Sequence, residues 1–157
     1  MTPSNSTPTP WALVTGASAG IGAEFCHQLA ARGYAIVLVA RREDKLEEVA
    51  EKVREKHGVK CRCIPLDLAL PDASVTLCAQ LESLGIEVEF LVNNAGFGII
   101  GSFEKVEWER HEQFLQVMLN SVCELTWLLL PGMQKRGKGY IVNVASVAGL
   151  IPGAARN

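Results

Sequence analysis

Short apolar, β-branched runs alternate along the chain with longer stretches in which apolar residues recur every three or four positions. The short runs predict buried strands, and the longer stretches predict amphipathic helices. Strands that alternate with helices are typical of βαβ units around a parallel sheet. The predicted strands are Trp11–Thr15, Tyr34–Val39, Lys60–Leu66, Glu89–Val92 and Tyr140–Ala145.

The stretches between these strands carry the predicted helices. Gly58 is expected to end the second helix, Asp72 to begin the third, and a long fourth segment runs from about Val106 to Leu130. The helical apolar positions are Ile21, Phe25 and Leu29, then Leu46, Val49, Ala50 and Val53, then Val75, Leu81 and Leu84.

Because the predicted strands are apolar along most of their length, both faces of the sheet should be covered. Right-handed crossovers then predict an α/β fold, a doubly wound Rossmann-like parallel sheet with helices on both faces. At 157 residues the chain fits one domain. We expect a flexible tail over residues 1–10 and a single domain over residues 11–157.

The charge and composition of the chain limit the classes of partner that it is expected to bind. The formal charge is −2, with no long block of one sign, so neither nucleic acid nor an anionic membrane surface is expected to bind. The tail MTPSNSTPTP has no apolar core, and Pro131 interrupts the apolar stretch Leu125–Leu130, so no signal or membrane span is predicted. We therefore expect a cytoplasmic protein with a small-molecule partner.

The cysteines indicate neither disulfides nor a metal. Their number is odd, and Cys61-x-Cys63 has no companion histidine or cysteine cluster, so reduced core thiols are favoured over metal ligands. The five are Cys26, Cys61, Cys63, Cys78 and Cys123.

A glycine-rich turn joins the first strand to the first helix. The segment reads TGASAGIG from Thr15 to Gly22. Glycines allow a tight turn and a close approach of the backbone to a pyrophosphate, while the helix N-terminus offers free N–H groups. The segment therefore favours a dinucleotide over the alternative, an ordinary glycine-rich turn.

The spacing Gly-x-x-x-Gly-x-Gly differs from the Gly-x-Gly-x-x-Gly of the common dehydrogenases. Together with later stretches in order, it resembles the short-chain dehydrogenase/reductase family over residues 11–157. Those stretches are Asp67-Leu68, Asn93-Asn94-Ala95-Gly96, Asn120 and Ile141–Ser146.

The resemblance implies roles for these residues. It places Asp67 and the Leu68 backbone at the adenine amino group, and it has Ser146 hydrogen-bonding the substrate oxygen. It also places Asn120 in a proton relay, in which the local backbone holds a water next to the catalytic lysine. The alternatives are a turn cap for Asp67 and a satisfied structural amide for Asn120. The implied cofactor contacts elsewhere are Gly16, Ser18, Gly20, Ile21 and Gly22 in the first turn and Asn94, Ala95 and Gly96, bordering the nicotinamide ribose, after the fourth strand.

The end of the second strand indicates which cofactor binds. It carries Arg41 and Arg42, where an NAD enzyme usually has an acidic residue. Cations are disfavoured before a helix N-terminus unless an anion compensates them. We therefore favour NADP(H), with a solvated turn balanced by Glu43 and Asp44 as the alternative.

The family's proton donor is a Tyr-x-x-x-Lys pair, which this sequence lacks. Tyr34 is followed four positions later by Leu38, and Tyr140 by Val144. We therefore expect the chain to be the N-terminal, cofactor-binding portion of an NADP(H)-dependent oxidoreductase, truncated before the sixth strand and inactive alone. Two other hypotheses stay open. One is a nucleotide-binding module without turnover, and the other is a methyltransferase, with which the paired arginines agree poorly.

The expected reaction transfers hydride between the nicotinamide and a ketone or secondary alcohol. Apolar stretches at residues 97–100 and 150–152 would line the pocket rim and favour an apolar substrate. The whole protein is expected to be a homo-oligomer.

Overall fold

The computed structural model describes residues 9–147, and every predicted strand forms within one or two residues of its predicted bounds. Residues 1–8 of the predicted tail, and residues 150–152 of the predicted rim, lie outside the described part. The strands are β1 Trp11–Thr15, β2 Ala35–Ala40, β3 Cys61–Pro65, β4 Val88–Asn93 and β5 Tyr140–Asn143. The helices are α1 Gly20–Ala30, α2 Glu43–His57, α3 Ala73–Ser83, α4 Trp108–Leu115 and α5 Ser121–Arg136, with a 3₁₀ turn at Phe103–Lys105 and a π-helical turn at Gln116–Asn120.

The strands form one parallel sheet in the order β3-β2-β1-β4-β5. Alternate residues of each strand point to opposite faces, so β1 sends Leu13 to one side and Val14 to the other. Helices α1 and α2 cover the Val14 face, and α3 and α5 cover the Leu13 face. The predicted doubly wound α/β fold is confirmed, and the direction in which successive strands are added to the sheet reverses between β1 and β4.

Helix α3 differs from its prediction. Leu77 and Leu81 are buried, whereas Val75 is 51% exposed and Leu84, beyond the helix end, is 44% exposed. The stripe of apolar residues that packs on the sheet therefore runs through Leu77, not Val75. Helix α2 ends as predicted, with Gly58 at φ 67° and its N–H donating to the carbonyl of Arg54 at 2.8 Å.

Pro131 does not end α5, which continues to Arg136 and so extends beyond the predicted end near Leu130. The carbonyl that Pro131 leaves without a helical N–H donor belongs to Trp127, an exposed residue. The helical stretch Trp108–Arg136 is long and apolar enough to cross a membrane by length and composition alone, a test that core helices also pass. The cytoplasmic location stays a prediction.

The thiols largely behave as core residues. Burial raises the pKa of Cys61 to about 11 and that of Cys63 to about 12, which favours the protonated thiol. Burial also raises the pKa of Cys78 to about 11. Cys123 is exposed, so the core prediction is wrong for that residue.

Candidate functional site

A cavity of about 260 Å³ opens at the carboxyl ends of the strands, on both sides of the point where β1 and β4 meet. Ligands of open parallel sheets bind at this kind of position. Eight residues predicted from the sequence to contact a cofactor line it. They are Gly16, Ser18, Arg41, Arg42, Asp67, Leu68, Ala95 and Gly96.

Gly16 and Gly22 bring two stretches of backbone together beneath the cavity. Gly16 has φ +65°, and a Cβ built on it would lie 2.9 Å from the Cα of Ala95. A Cβ on Gly22 would lie 2.3 Å from the carbonyl oxygen of Gly16. Neither position has space for a side chain, so the turn can stay compact and present bare backbone to a ligand.

The turn leads into the N-terminus of α1. Gly20, the first residue of this helix, has φ +55°. No side chain caps α1, and its first turn has no acidic residue, so its first N–H groups can meet an anion. Ile21 is 62% exposed and lies in a separate apolar groove with Phe25 and Phe90, so the structure does not bring its side chain to the cavity.

Thr15 joins β1 to the segment after β4. Its hydroxyl donates to the carbonyl of Val92 at 3.2 Å and accepts from the backbone N–H groups of Asn94 at 2.9 Å and Ala95 at 3.0 Å. The Asn94 side chain donates to the carbonyl oxygens of Thr15 at 2.9 Å and Gly16 at 3.3 Å. Asn94 therefore holds the glycine turn from below, and it does not itself line the cavity.

The cavity is positively charged on the β2 side. Arg41 and Arg42 are exposed, and Arg42 occupies the N-cap position of α2 without capping it through its side chain. Asp67, after β3, is half-buried and accepts a hydrogen bond from the Ala69 N–H at 3.0 Å. Asp67 thus stabilises its own turn, as the structural alternative proposed, and also lines the cavity.

The wall opposite comes from residues that the sequence did not single out. Arg110, Gln113 and Val117 line the cavity from α4 and the π-helical turn, spaced so that they share one helix face. Phe97, predicted only as part of an apolar rim, lines it from the loop after β4. The sequence shows the helical spacing of Arg110, Gln113 and Val117. It does not show the path of the loop after β4, which brings this helical stretch to the cavity.

Asn120 does not join this group. Its side chain is exposed and donates to the Gln116 carboxamide at 2.9 Å, in a groove that also contains Trp127. Met118, two positions earlier and therefore on the opposite side of the helix, packs on Gly96 after β4. A Cβ built on Gly96 would lie 2.8 Å from the Met118 sulfur. In the π-helical turn, the side chains at the strand ends are therefore those of Val117 and Met118.

Ser146 follows β5 and is exposed at the same edge of the sheet. Strand pairing continues past β5, since the Val144 N–H donates to the carbonyl of Asn93 at 2.9 Å. Ser146 is not one of the residues that line the 260 Å³ cavity. The glycine turn, the arginines after β2 and Asp67 do line it, and this lining suits the adenosine half of a dinucleotide.

The chain resembles a known family and its solved structures. The family described as short chain dehydrogenase matches residues 10–157. The very-long-chain 3-oxoacyl-CoA reductases of Rattus norvegicus and Homo sapiens are both 37% identical to the chain, and each alignment covers 90% of the chain and 46% of the relative. The chain thus spans about half the length of the curated relatives it matches.

Two solved structures superpose closely. A short-chain dehydrogenase from Sphingobium yanoikuyae in complex with NADPH has 32% identity and a TM-score of 0.86, over 93% of this chain and 57% of that one. L-Sorbose reductase from Gluconobacter frateurii, complexed with NADPH and L-sorbose, has 31% identity and a TM-score of 0.83, over 92% of this chain and 56% of that one.

Proposed function

The chain belongs to the short-chain dehydrogenase family, and we propose that the whole protein is an NADP(H)-dependent oxidoreductase acting on a ketone or the corresponding secondary alcohol. The observation that carries this proposal is the cavity at the β1/β4 switch, where a glycine cradle meets two arginines. The cofactor, when bound, supplies the hydride chemistry. The protein supplies position, charge and a hydrogen-bond donor.

The residues present fit this cofactor. Gly16 and Gly22 leave no room for side chains beneath the cavity, so bare backbone and the N-terminus of α1 are available to a pyrophosphate. Asp67 provides an acceptor for the adenine amino group. Arg41 and Arg42 replace the acidic residue that would hold a ribose diol, which favours a 2′-phosphate.

The substrate we propose is an apolar carbonyl compound whose oxygen accepts a hydrogen bond from Ser146. The names of the relatives, very-long-chain 3-oxoacyl-CoA reductases, support a carbonyl with a long apolar part. A structural neighbour described as a bulky-bulky ketone specific alcohol dehydrogenase supports a roomy apolar pocket.

The test is a calorimetric titration of the whole protein with NADPH, NADH and S-adenosylmethionine. We expect NADPH to bind most tightly. Binding of S-adenosylmethionine alone would replace the proposal with the methyltransferase reading, and tighter binding of NADH than of NADPH would refute the assignment to NADP(H).

Replacing Arg41 by glutamine is expected to weaken NADPH binding roughly 10- to 100-fold, because a hydrogen bond to a charged group contributes about 1.5 to 3 kcal/mol. NADH, which lacks the 2′-phosphate, should bind with nearly unchanged affinity. Arg62→Gln on the exposed part of β3 removes the same charge outside the cavity and serves as the control. Equal losses for both nucleotides would show that Arg41 contacts a part that they share.

One observation favours a second candidate, a nucleotide-binding module without turnover. Neither Asn120 nor Ser146, the two residues predicted to serve the reaction, lines the cavity, and the Asn120 side chain points into another groove. Such a module would bind NADPH and oxidise none of it with any ketone offered. Turnover of NADPH by the whole protein with a single ketone would eliminate this candidate.

Replacing Asn120 by alanine is expected to leave NADPH affinity within about twofold, as for other surface positions away from a site. Met118→Ala should reduce it more, because it removes the side chain that packs on Gly96. Both affinities can be measured by quenching of protein fluorescence. If Asn120→Ala weakens NADPH binding more than Met118→Ala does, the Asn120 side chain contributes to cofactor binding.

A further inference from the structure

Arg110 is a cavity residue that neither the family resemblance nor the glycine turn accounts for. It lies on α4, whereas Arg41 and Arg42 follow β2, and all three line the same cavity of about 260 Å³. A cavity of this size brings its facing walls within reach of a single nucleotide. The inference drawn from Arg110 rests on the proposed function, since it concerns how the same cofactor is recognised.

The guanidinium of Arg110 is held in place on both sides. Its central carbon lies 4.0 Å from the centroid of the Phe97 ring, and one of its N–H groups donates to the Gln113 carboxamide at 3.1 Å. The Phe97 ring is itself packed edge-on against Phe114, with centroids 5.8 Å apart. A guanidinium stacked on an aromatic ring loses little further freedom when it binds an anion, and its remaining N–H groups stay available.

The charges around the cavity do not cancel. Three arginines line it, and the carboxylate among the lining residues is Asp67, which already accepts the Ala69 N–H. Within residues 9–147 none of these arginines is part of an ion pair, although the chain places Glu43, Asp44 and Glu109 next to them. The lining thus keeps an excess of positive charge that suits an anion carrying about two negative charges.

We propose that Arg110 is a specificity-determining residue that binds the adenosine 2′-phosphate of NADP(H) from the α4 side, facing Arg41 and Arg42. Phe97 acts through it as a positioning residue. A phosphate held between cations from two separate elements gains affinity that a diol cannot, because a diol carries no charge. This arrangement would increase the selectivity for NADPH over NADH beyond what the two arginines after β2 provide.

The test compares adenosine 2′,5′-bisphosphate with adenosine 5′-monophosphate, since the two differ only in the 2′-phosphate. Calorimetry on the whole protein is expected to show that Arg110→Gln weakens the bisphosphate and NADPH roughly 10-fold and leaves the monophosphate and NADH within about twofold. Phe97→Leu should give a smaller loss with the same ligand pattern. Arg62→Gln, which removes a charge outside the cavity, should change none of the four affinities.

A conservative variant separates the guanidinium from its charge. Arg110→Lys keeps the charge but loses the planar stack, so its affinity for the bisphosphate should lie between those of the wild type and Arg110→Gln. Equal losses for both adenosine phosphates would overturn the proposal, because Arg110 would then stack on the adenine ring. Unchanged affinities in Arg110→Gln would also overturn it while the proposed function stands. If the wild-type protein binds neither NADPH nor the bisphosphate, the proposed function fails as well.

Discussion

Replacing Gly22 by alanine is expected to destabilise the fold by about 3 kcal/mol, because overpacking at a contact that cannot relax costs this much. NADPH affinity should fall more than 100-fold, because the glycine turn that presents backbone to the cofactor would have to move. The new Cβ would lie 2.3 Å from the Gly16 carbonyl oxygen and 2.6 Å from Nδ2 of the Asn94 side chain. The first atom is backbone, and the second is held by hydrogen bonds to Thr15 and Gly16. Relief therefore requires the glycine turn itself to move away from β4.

The matched control is Gly20→Asn, two residues earlier in the same turn. Gly20 has φ +55°, but a Cβ there meets nothing within 4 Å, and asparagine tolerates left-handed backbone better than other residues. Urea denaturation should show a loss below about 1 kcal/mol for this variant. If Gly22→Ala unfolds at the same urea concentration as the wild type, the close packing of the turn on Gly16 is not needed for the fold.

The sheet could be predicted from the sequence because its information is local. Residues such as Leu13 and Val14 alternate between two buried faces, so β1 up to Thr15 and the whole of β2 are apolar and appear as continuous runs. The position of the site followed from the same pattern, since the carboxyl ends of parallel strands share one edge. The strand pattern therefore predicts that Arg41, Asp67 and Ala95 lie at one edge of the sheet, and all three line the cavity.

The far wall of the cavity could not be predicted in this way. Arg110 reaches the cavity through the loop after β4, whose path depends on packing such as the Phe97–Phe114 contact. The Asn120 side chain lies outside the cavity lining for a different reason. A shift of two positions turns a side chain to the opposite side of a helix, and the π-helical turn Gln116–Asn120 changes the periodicity from which a sequence pattern is read.

The role of Thr15 could not be predicted from the sequence either, because it depends on hydrogen bonds to groups that are distant in sequence. Its replacement should have the second large effect on stability. Thr15→Val is expected to lower the free energy of unfolding by about 4 kcal/mol. The buried hydroxyl uses its one donor on Val92 and both acceptor sites on the N–H groups of Asn94 and Ala95. Valine has almost the same shape and fills the space, but it leaves three backbone groups at the β1/β4 junction without this partner. Urea denaturation measures the loss.

Thr15→Ser separates the hydroxyl from the methyl group. It retains all three hydrogen bonds and loses one buried methyl, so a loss of about 1 kcal/mol is expected. NADPH affinity should follow the hydroxyl and not the stability alone, because Asn94 loses its backbone anchor only in the valine variant and with it the support of the Gly16 carbonyl. Equal unfolding free energies and equal affinities in the two variants would mean that Thr15 contributes only by packing, and that another contact joins the glycine turn to β4.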